Sequence, residues 1–210
     1  MALTLWHCKD TRSFRPLWAL EEMQISYKLE LLPFPPRVFQ KDYLEINPLG
    51  TIPFLRDGQT TLTESVAICQ YLAERYAAEF TLVPDHPDYG AYLNWLHQSD
   101  ATLTFPQALM LRYGPFADEA HKLPQVVQDY RNWALARMRW LDGHLSTKDW
   151  LAADRFTVAD IAVGYALYLG RLTGLSGDYT MQTSAYLDRL MARPAFQRAQ
   201  AMQADAPGWT

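Results

Sequence analysis

The stretch NPLGTIPFLRDGQTTLTES, residues 47–65, constrains the fold of this 210-residue chain more than any other. It sets Pro53 inside an apolar, strand-like run, and proline has no N–H to give to a ladder. A central strand normally excludes such a residue; it is tolerated on an edge strand or where the chain bends, and a cis Ile52–Pro53 bond would supply the bend. Beyond it, IPFL and TTL flank Asp57-Gly58, a dipeptide whose residues accept positive φ and close a hairpin. The unit ends at Glu64-Ser65, where SVAICQYLAERY begins with Val66, Ile68, Cys69, Leu72 and Tyr76 at helical spacing. A helix start offers unpaired N–H groups and the positive end of a dipole, which seat a carboxylate. Ile52 meanwhile keeps its N–H and C=O at an exposed edge, where an extended peptide can add as a strand. One edge for a peptide and one helix start for a carboxylate suit a small acidic peptide.

Upstream, LTLWH reads as a strand, SFRPLWALEEM as a helix through Phe14, Leu17, Trp18 and Leu20, and SYKLELLPF as a second strand. With the hairpin and its helix this makes a βαβ-ββα domain over residues 1–78. A linker follows at 79–88, containing LVPDHPD, and residues 89–210 show helical patterns only, near 89–112, 123–145, 157–173 and 183–203. In the third of these, FTVADI, Thr157 is set to cap the helix and Asp160 to complete a capping box. Phe156 and Ile161 stand at the positions of a hydrophobic staple. That is a structural signal, and Asp160 reads as structural.

Composition narrows the function. A net charge of −4, from 19 basic and 23 acidic residues, gives no footprint for nucleic acid or an anionic membrane. No basic start with a long apolar run opens the chain, and no apolar stretch approaches the roughly 18 residues that span a bilayer. Two cysteines, Cys8 and Cys69, leave no disulfide framework and no cysteine-based zinc site, and the five histidines lack metal-ligand spacing. The expected protein is cytoplasmic, binds no metal and carries no cofactor. Cys69, on the apolar face of its helix, reads as core.

NPLGTIPFL followed by TESVAICQYL, and then FTVADIAVGYAL, resembles the soluble glutathione S-transferases of bacterial type over essentially the whole chain. The resemblance implies a thioredoxin-like N-terminal domain, an all-helical C-terminal domain and a homodimer. It also implies conjugation of the glutathione thiolate to small hydrophobic electrophiles, with glutathione as co-substrate. By the family pattern the Ile52 backbone, before Pro53, holds the cysteinyl amide. Glu64 and Ser65 hold the γ-glutamyl end, and Thr51 assists. Ser65 is also placed to be a plain N-cap. Two other functions stay open: glutathione-dependent disulfide or peroxide reduction, for which no C-x-x-C is present, and a non-catalytic binding or carrier role.

The family activates the thiol with a Tyr, Ser or Cys near the first helix. Pro16 belongs in a helix's first turn, which makes Ser13 the N-cap and puts its hydroxyl where a thiolate would rest. Thr11 stands where serine-type members carry their serine. Arg12 stands where cysteine-type members carry their cysteine, so the chain lies outside that class. Ser13 and Thr11 are therefore the catalytic candidates, with Arg12 or Arg15 adding positive potential. Phe105, Met110 and Tyr113 are candidates for an apolar co-substrate pocket, though aromatic stripes are usually core.

Overall fold

The computed structural model describes residues 3–209. By contact the chain divides into two compact units, Met1–Thr81 with Met191–Thr210, and Leu82–Leu190. The C-terminal segment thus groups with the first unit, whereas the sequence pattern places it in the helical domain.

The first unit runs β1 (Leu3–His7), α1 (Phe14–Glu22), β2 (Tyr27–Leu31), α2 (Pro36–Phe39), α3 (Tyr43–Ile46), β3 (Phe54–Asp57), β4 (Thr60–Leu62) and α4 (Ser65–Tyr76). The four strands form a mixed sheet in the order β2-β1-β3-β4. β1 and β2 are parallel, with Leu5 opposite Leu29, as a crossover through a helix requires. β3 returns antiparallel, with Leu5 opposite Leu55 and Trp6 opposite Phe54. This is the expected thioredoxin-like arrangement. Two short helices, α2 and α3, occupy the Pro-rich connection that the sequence pattern leaves as a loop. The hairpin turn also falls one residue later than expected. Asp57 is the last ladder residue, paired with Thr60, and Gly58-Gln59 make the turn, with Gly58 at φ 60°.

Pro53 lies outside the ladder, since β3 begins at Phe54, and the Ile52–Pro53 bond is cis. The proline costs the sheet no hydrogen bond because it precedes the sheet.

The expected helix over 183–203 is two helices, α9 (Met181–Met191) and α10 (Pro194–Met202). Proline disfavours helical backbone in the residue before it. Arg193 is accordingly extended, at φ −64° and ψ 133°, and Pro194 opens the next helix. α10 packs on α1. Phe196 meets Phe14 and Trp18 edge-on, at 5.1 and 5.0 Å between ring centroids. Arg193 clasps Glu22 with both Nε and Nη2, at 2.6 and 2.9 Å, and Arg198 Nε bonds Glu21 at 2.8 Å. Trp18, Leu17, Leu20, Leu5, Leu55, Ile68, Cys69 and Leu72 are fully buried in this unit. α1 also packs against α4.

The second unit holds α5 (Tyr89–Gln98), α6 (Phe105–Tyr113), α7 (Pro124–Leu145), α8 (Val158–Leu172) and nearly all of α9. The expected helix over 89–112 is interrupted by a π-helical segment, Ser99–Thr104. Thr104 Oγ1 bonds the Ser99 carbonyl there, at 2.7 Å. α8 is buried along almost its whole length, which is why its sequence is apolar all round. Its capping box is present in both directions: the Thr157 side chain accepts from the Asp160 N–H, and Thr157 N–H donates to Asp160 Oδ2 at 2.8 Å; Ala159 N–H also donates to Thr157 Oγ1, at 3.2 Å. Among the described residues no helix is long and apolar enough to cross a membrane.

Candidate functional site

Two clusters in the first unit gather the expected site residues. One lies where β1 turns into α1. Helix α1 begins at Phe14, so Ser13 holds the N-cap position and Pro16 the third helical one. The Ser13 side chain does not cap, however, and its backbone is helical, at φ −68° and ψ −11°. Its hydroxyl turns back toward β1 instead. Ser13 Oγ lies 2.7 Å from His7 Nδ1 and 2.8 Å from Thr11 Oγ1, and it accepts from Cys8 N–H at 3.2 Å. Thr11 Oγ1 donates to the Cys8 carbonyl at 2.8 Å. Ser13 and His7 are wholly enclosed, while Thr11 keeps a small accessible surface.

His7 and Gln203 belong to this cluster, and sequence reasoning missed both. His7 Nε2 lies 3.1 Å from Gln203 Oε1, and Gln203 also pairs with Asp10. Burial pushes the His7 imidazolium down, to about 4, so the ring is neutral at physiological pH. Burial likewise pushes the Cys8 thiol up, to about 12; its Sγ bonds the Pro33 carbonyl, at 3.5 Å.

The second cluster lies around the approach to β3 and the start of α4. Ile52 packs against a core of Trp6, Cys8, Leu32, Tyr43 and Phe54. Cys8 therefore touches both clusters: its side chain packs with Ile52's neighbours and its N–H bonds Ser13. The Thr51 carbonyl is held by Tyr43 Oη and Asn47 Nδ2, each at 2.8 Å. That fixes the backbone just ahead of Ile52. Glu64 is the N-cap residue of α4, with an exposed side chain that makes no cap bond; Ser65, buried, is the first helical residue. The fully buried Arg15 donates through Nη1 to Ser65 Oγ at 3.0 Å. Its guanidinium thus stands at the start of α4, where the helix dipole already favours an anion. A serine hydroxyl that accepts from a cation keeps its own hydrogen to donate, and a carboxylate is the natural recipient.

The three pocket candidates lie in the second unit, on α6. Met110 is 5% exposed and Phe105 52%, and Tyr113 is half-buried with the Arg112 guanidinium 5.9 Å from its ring centroid. At about 100° per residue, Met110 and Tyr113 stand roughly 140° and 80° round the helix from Phe105. The three lie within one arc of about 140° of the helix surface. Asp160 is placed as expected of a structural residue. Fully buried, it also takes the Tyr186 hydroxyl at 2.7 Å and Leu151 N–H at 3.1 Å. Among the described residues no group of three or more His, Cys, Asp or Glu side chains is arranged to hold a metal ion.

Known proteins resemble this chain over most of its length. The family model for the glutathione S-transferase N-terminal domain matches residues 11–75, and that for the C-terminal domain matches residues 106–194. The chain is 32% identical over 173 residues to glutathione S-transferase 3 of Zea mays, covering 76% of this chain and 74% of the relative. It is 24% identical over 216 residues to glutathione S-transferase 3 of Schizosaccharomyces pombe, covering 92% and 84%. Its fold is similar to a glutathione transferase of Phanerochaete chrysosporium solved with oxidized glutathione. The TM-score is 0.84 at 22% identity, over 97% of this chain and 95% of that one.

Proposed function

The chain belongs to the glutathione S-transferase family, and we propose that it joins the thiolate of glutathione to small apolar electrophiles. The observation that carries this reading is the pairing at the start of α4. Ser65, the first residue of α4, accepts at its Oγ from the buried Arg15 and so keeps its own hydrogen to give. In this reading Ser65 and Glu64 take the γ-glutamyl end, the Ile52 backbone before Pro53 takes the cysteinyl amide, and Thr51 borders it. The Thr11–Ser13 pair meets the sulfur. A free thiol near pKa 8.5 is only a few per cent ionised at neutral pH. A hydroxyl donor and the start of α1 both favour the anion. The thiolate then attacks an electrophilic carbon: a C–S bond forms, a halide leaves or an epoxide opens, and the thiol proton passes to solvent.

Dithiol reduction requires a reactive cysteine pair, whereas Cys8 and Cys69 are buried with their thiols raised to about 12 by burial. That favours transfer. Phe105, Met110 and Tyr113 remain candidates for the electrophile's apolar contacts. We read the protein as a cytoplasmic homodimer needing glutathione and no other cofactor. Val38, Phe39, Leu44 and Leu49 support the dimer; all lie exposed on the segment between β2 and β3, Leu49 most at 64%. The test is turnover of a panel of aryl halides, epoxides, disulfides and peroxides with glutathione. Conjugation of a halide or epoxide supports the reading, and turnover of disulfides or peroxides alone overturns it.

A further inference from the structure

The hydrogen positions around Ser13 follow from one amide. Gln203 Nε2 lies 2.6 Å from Asp10 Oδ1, a carboxylate oxygen that accepts, and Gln203 Oε1 lies 3.0 Å from the Asp10 N–H, which donates. The amide therefore has one orientation. Its Oε1 is also 3.1 Å from His7 Nε2, so that ring nitrogen carries the hydrogen. A neutral imidazole has a single N–H, which leaves Nδ1 an acceptor. The donor facing it at 2.7 Å is the Ser13 hydroxyl. The Ser13 hydrogen has a second acceptor in reach, the Cys8 carbonyl at 3.2 Å, but His7 Nδ1 is half an ångström nearer; with the hydrogen on His7, Ser13 Oγ is left to accept, from Cys8 N–H and from Thr11. The Thr11 hydrogen has two neutral acceptors, Ser13 Oγ and the Cys8 carbonyl, each at 2.8 Å. An anionic sulfur outcompetes both, because charge-assisted hydrogen bonds are about twice as strong as neutral ones.

We propose that Gln203 is a positioning residue of the thiol site. By holding His7 in its Nε2–H tautomer it commits the Ser13 hydrogen inward and leaves Thr11 as the hydroxyl that donates to the glutathione sulfur. The inference rests on the glutathione reading above. It gives the C-terminal segment a role at the far end of the chain, and that segment grips the β1–α1 turn at three points. Gln203 pairs with both the N–H and the carboxylate of Asp10, which sits in left-handed backbone at φ 59°. Lys9 Nζ bonds the Ala204 carbonyl, and Trp209 Nε1 bonds the Lys9 carbonyl, each at 2.9 Å.

The experiment compares the full chain in four forms: wild type, Thr11→Val, Gln203→Met and the double variant. Nitrogen NMR of ring-labelled histidine reads the His7 tautomer. The ultraviolet absorbance of bound thiolate, followed against pH with saturating glutathione, reads the thiol. The wild type should show His7 protonated at Nε2 and bare at Nδ1. Thr11→Val should lower the thiolate fraction at neutral pH about tenfold while glutathione affinity stays within about threefold. Gln203→Met should move the ring proton to Nδ1, free the Ser13 hydrogen, and shrink the cost of Thr11→Val to about threefold or less. A wild-type ring protonated at Nδ1, an unchanged thiolate in Thr11→Val, or an equal Thr11→Val cost with and without Gln203 would overturn the proposal. If Gln203→Met does not fold, the wild-type tautomer and the Thr11→Val thiolate decide it. Absence of any saturable thiolate signal in the wild type would sink the glutathione reading itself, whatever the tautomer. A normal signal with the wrong tautomer sinks this inference alone.

Discussion

Arg15 and Ser65 stand 50 residues apart in sequence and meet at 3.0 Å, so the first turn of α1 is tied to the first residue of α4. The contact is buried on both sides, and it sets a cation behind a helix start, an arrangement that favours an anion. Ser65→Ala should therefore act twice. It leaves a buried guanidinium donor without this acceptor, lowering stability by about 1–3 kcal/mol, and it removes a charge-assisted bond to glutathione of about 1.5–3 kcal/mol. Urea unfolding and calorimetric titration read the two separately. Lost stability with unchanged affinity would make Ser65 a structural partner of Arg15 only.

Asp160 holds the second unit together through more than its cap. Its carboxyl takes Thr157 N–H, Leu151 N–H and the Tyr186 hydroxyl, all buried. Asp160→Ala orphans these donors, and the expected loss is about 3–5 kcal/mol by urea unfolding, above the roughly 1 kcal/mol of a cap alone. Glutathione affinity in the folded fraction should hold.

The pH dependence of Asp160 has a definite sign. Burial raises its carboxyl from the usual 3.8 to about 6, so between those values the folded chain binds the extra proton. Stability from this group is greatest at the acid end of that window. It is lost as pH rises through about 6, by up to about 3 kcal/mol. Unfolding of Asp160→Asn and wild type at pH 4 and pH 7 checks it: the difference should move in the variant's favour at pH 7. No movement would show the carboxyl ionised throughout.

Cys8 and Cys69 should be silent to thiol reagents. Both are buried, and burial raises both thiols to about 12, so almost no thiolate exists at neutral pH. Titration with an aromatic disulfide should find neither reactive in the native protein and both reactive in denaturant. Rapid native reaction at Cys8 would reopen a cysteine-based mechanism.

Much of the fold was legible because its signals are local. Strand alternation at Tyr27, Leu29 and Leu31 and the Thr157–Asp160 spacing each lie within one element, and each is where the pattern placed it. The break at Pro194 has a local cause too, since proline restrains Arg193, but the apolar periodicity running across it hid the stop. The site was half legible. The element start at Ser65 follows from helical spacing. The inward turn of Ser13 does not, because it depends on His7 and on Gln203, which lies 196 residues beyond His7. No periodicity encodes a contact of that kind. Arg15 showed in the sequence as positive charge near the thiol, while its guanidinium lies on Ser65, at the start of α4.

The most direct test of the account is recognition of the γ-glutamyl group. Calorimetric titration of the wild type with glutathione is set beside the dipeptide cysteinylglycine, which keeps the thiol and loses the group assigned to Ser65 and Glu64. Saturable binding of glutathione, with the dipeptide at least about tenfold weaker, is the expected result. Equal affinity for the two, or no saturable binding of glutathione, would contradict it.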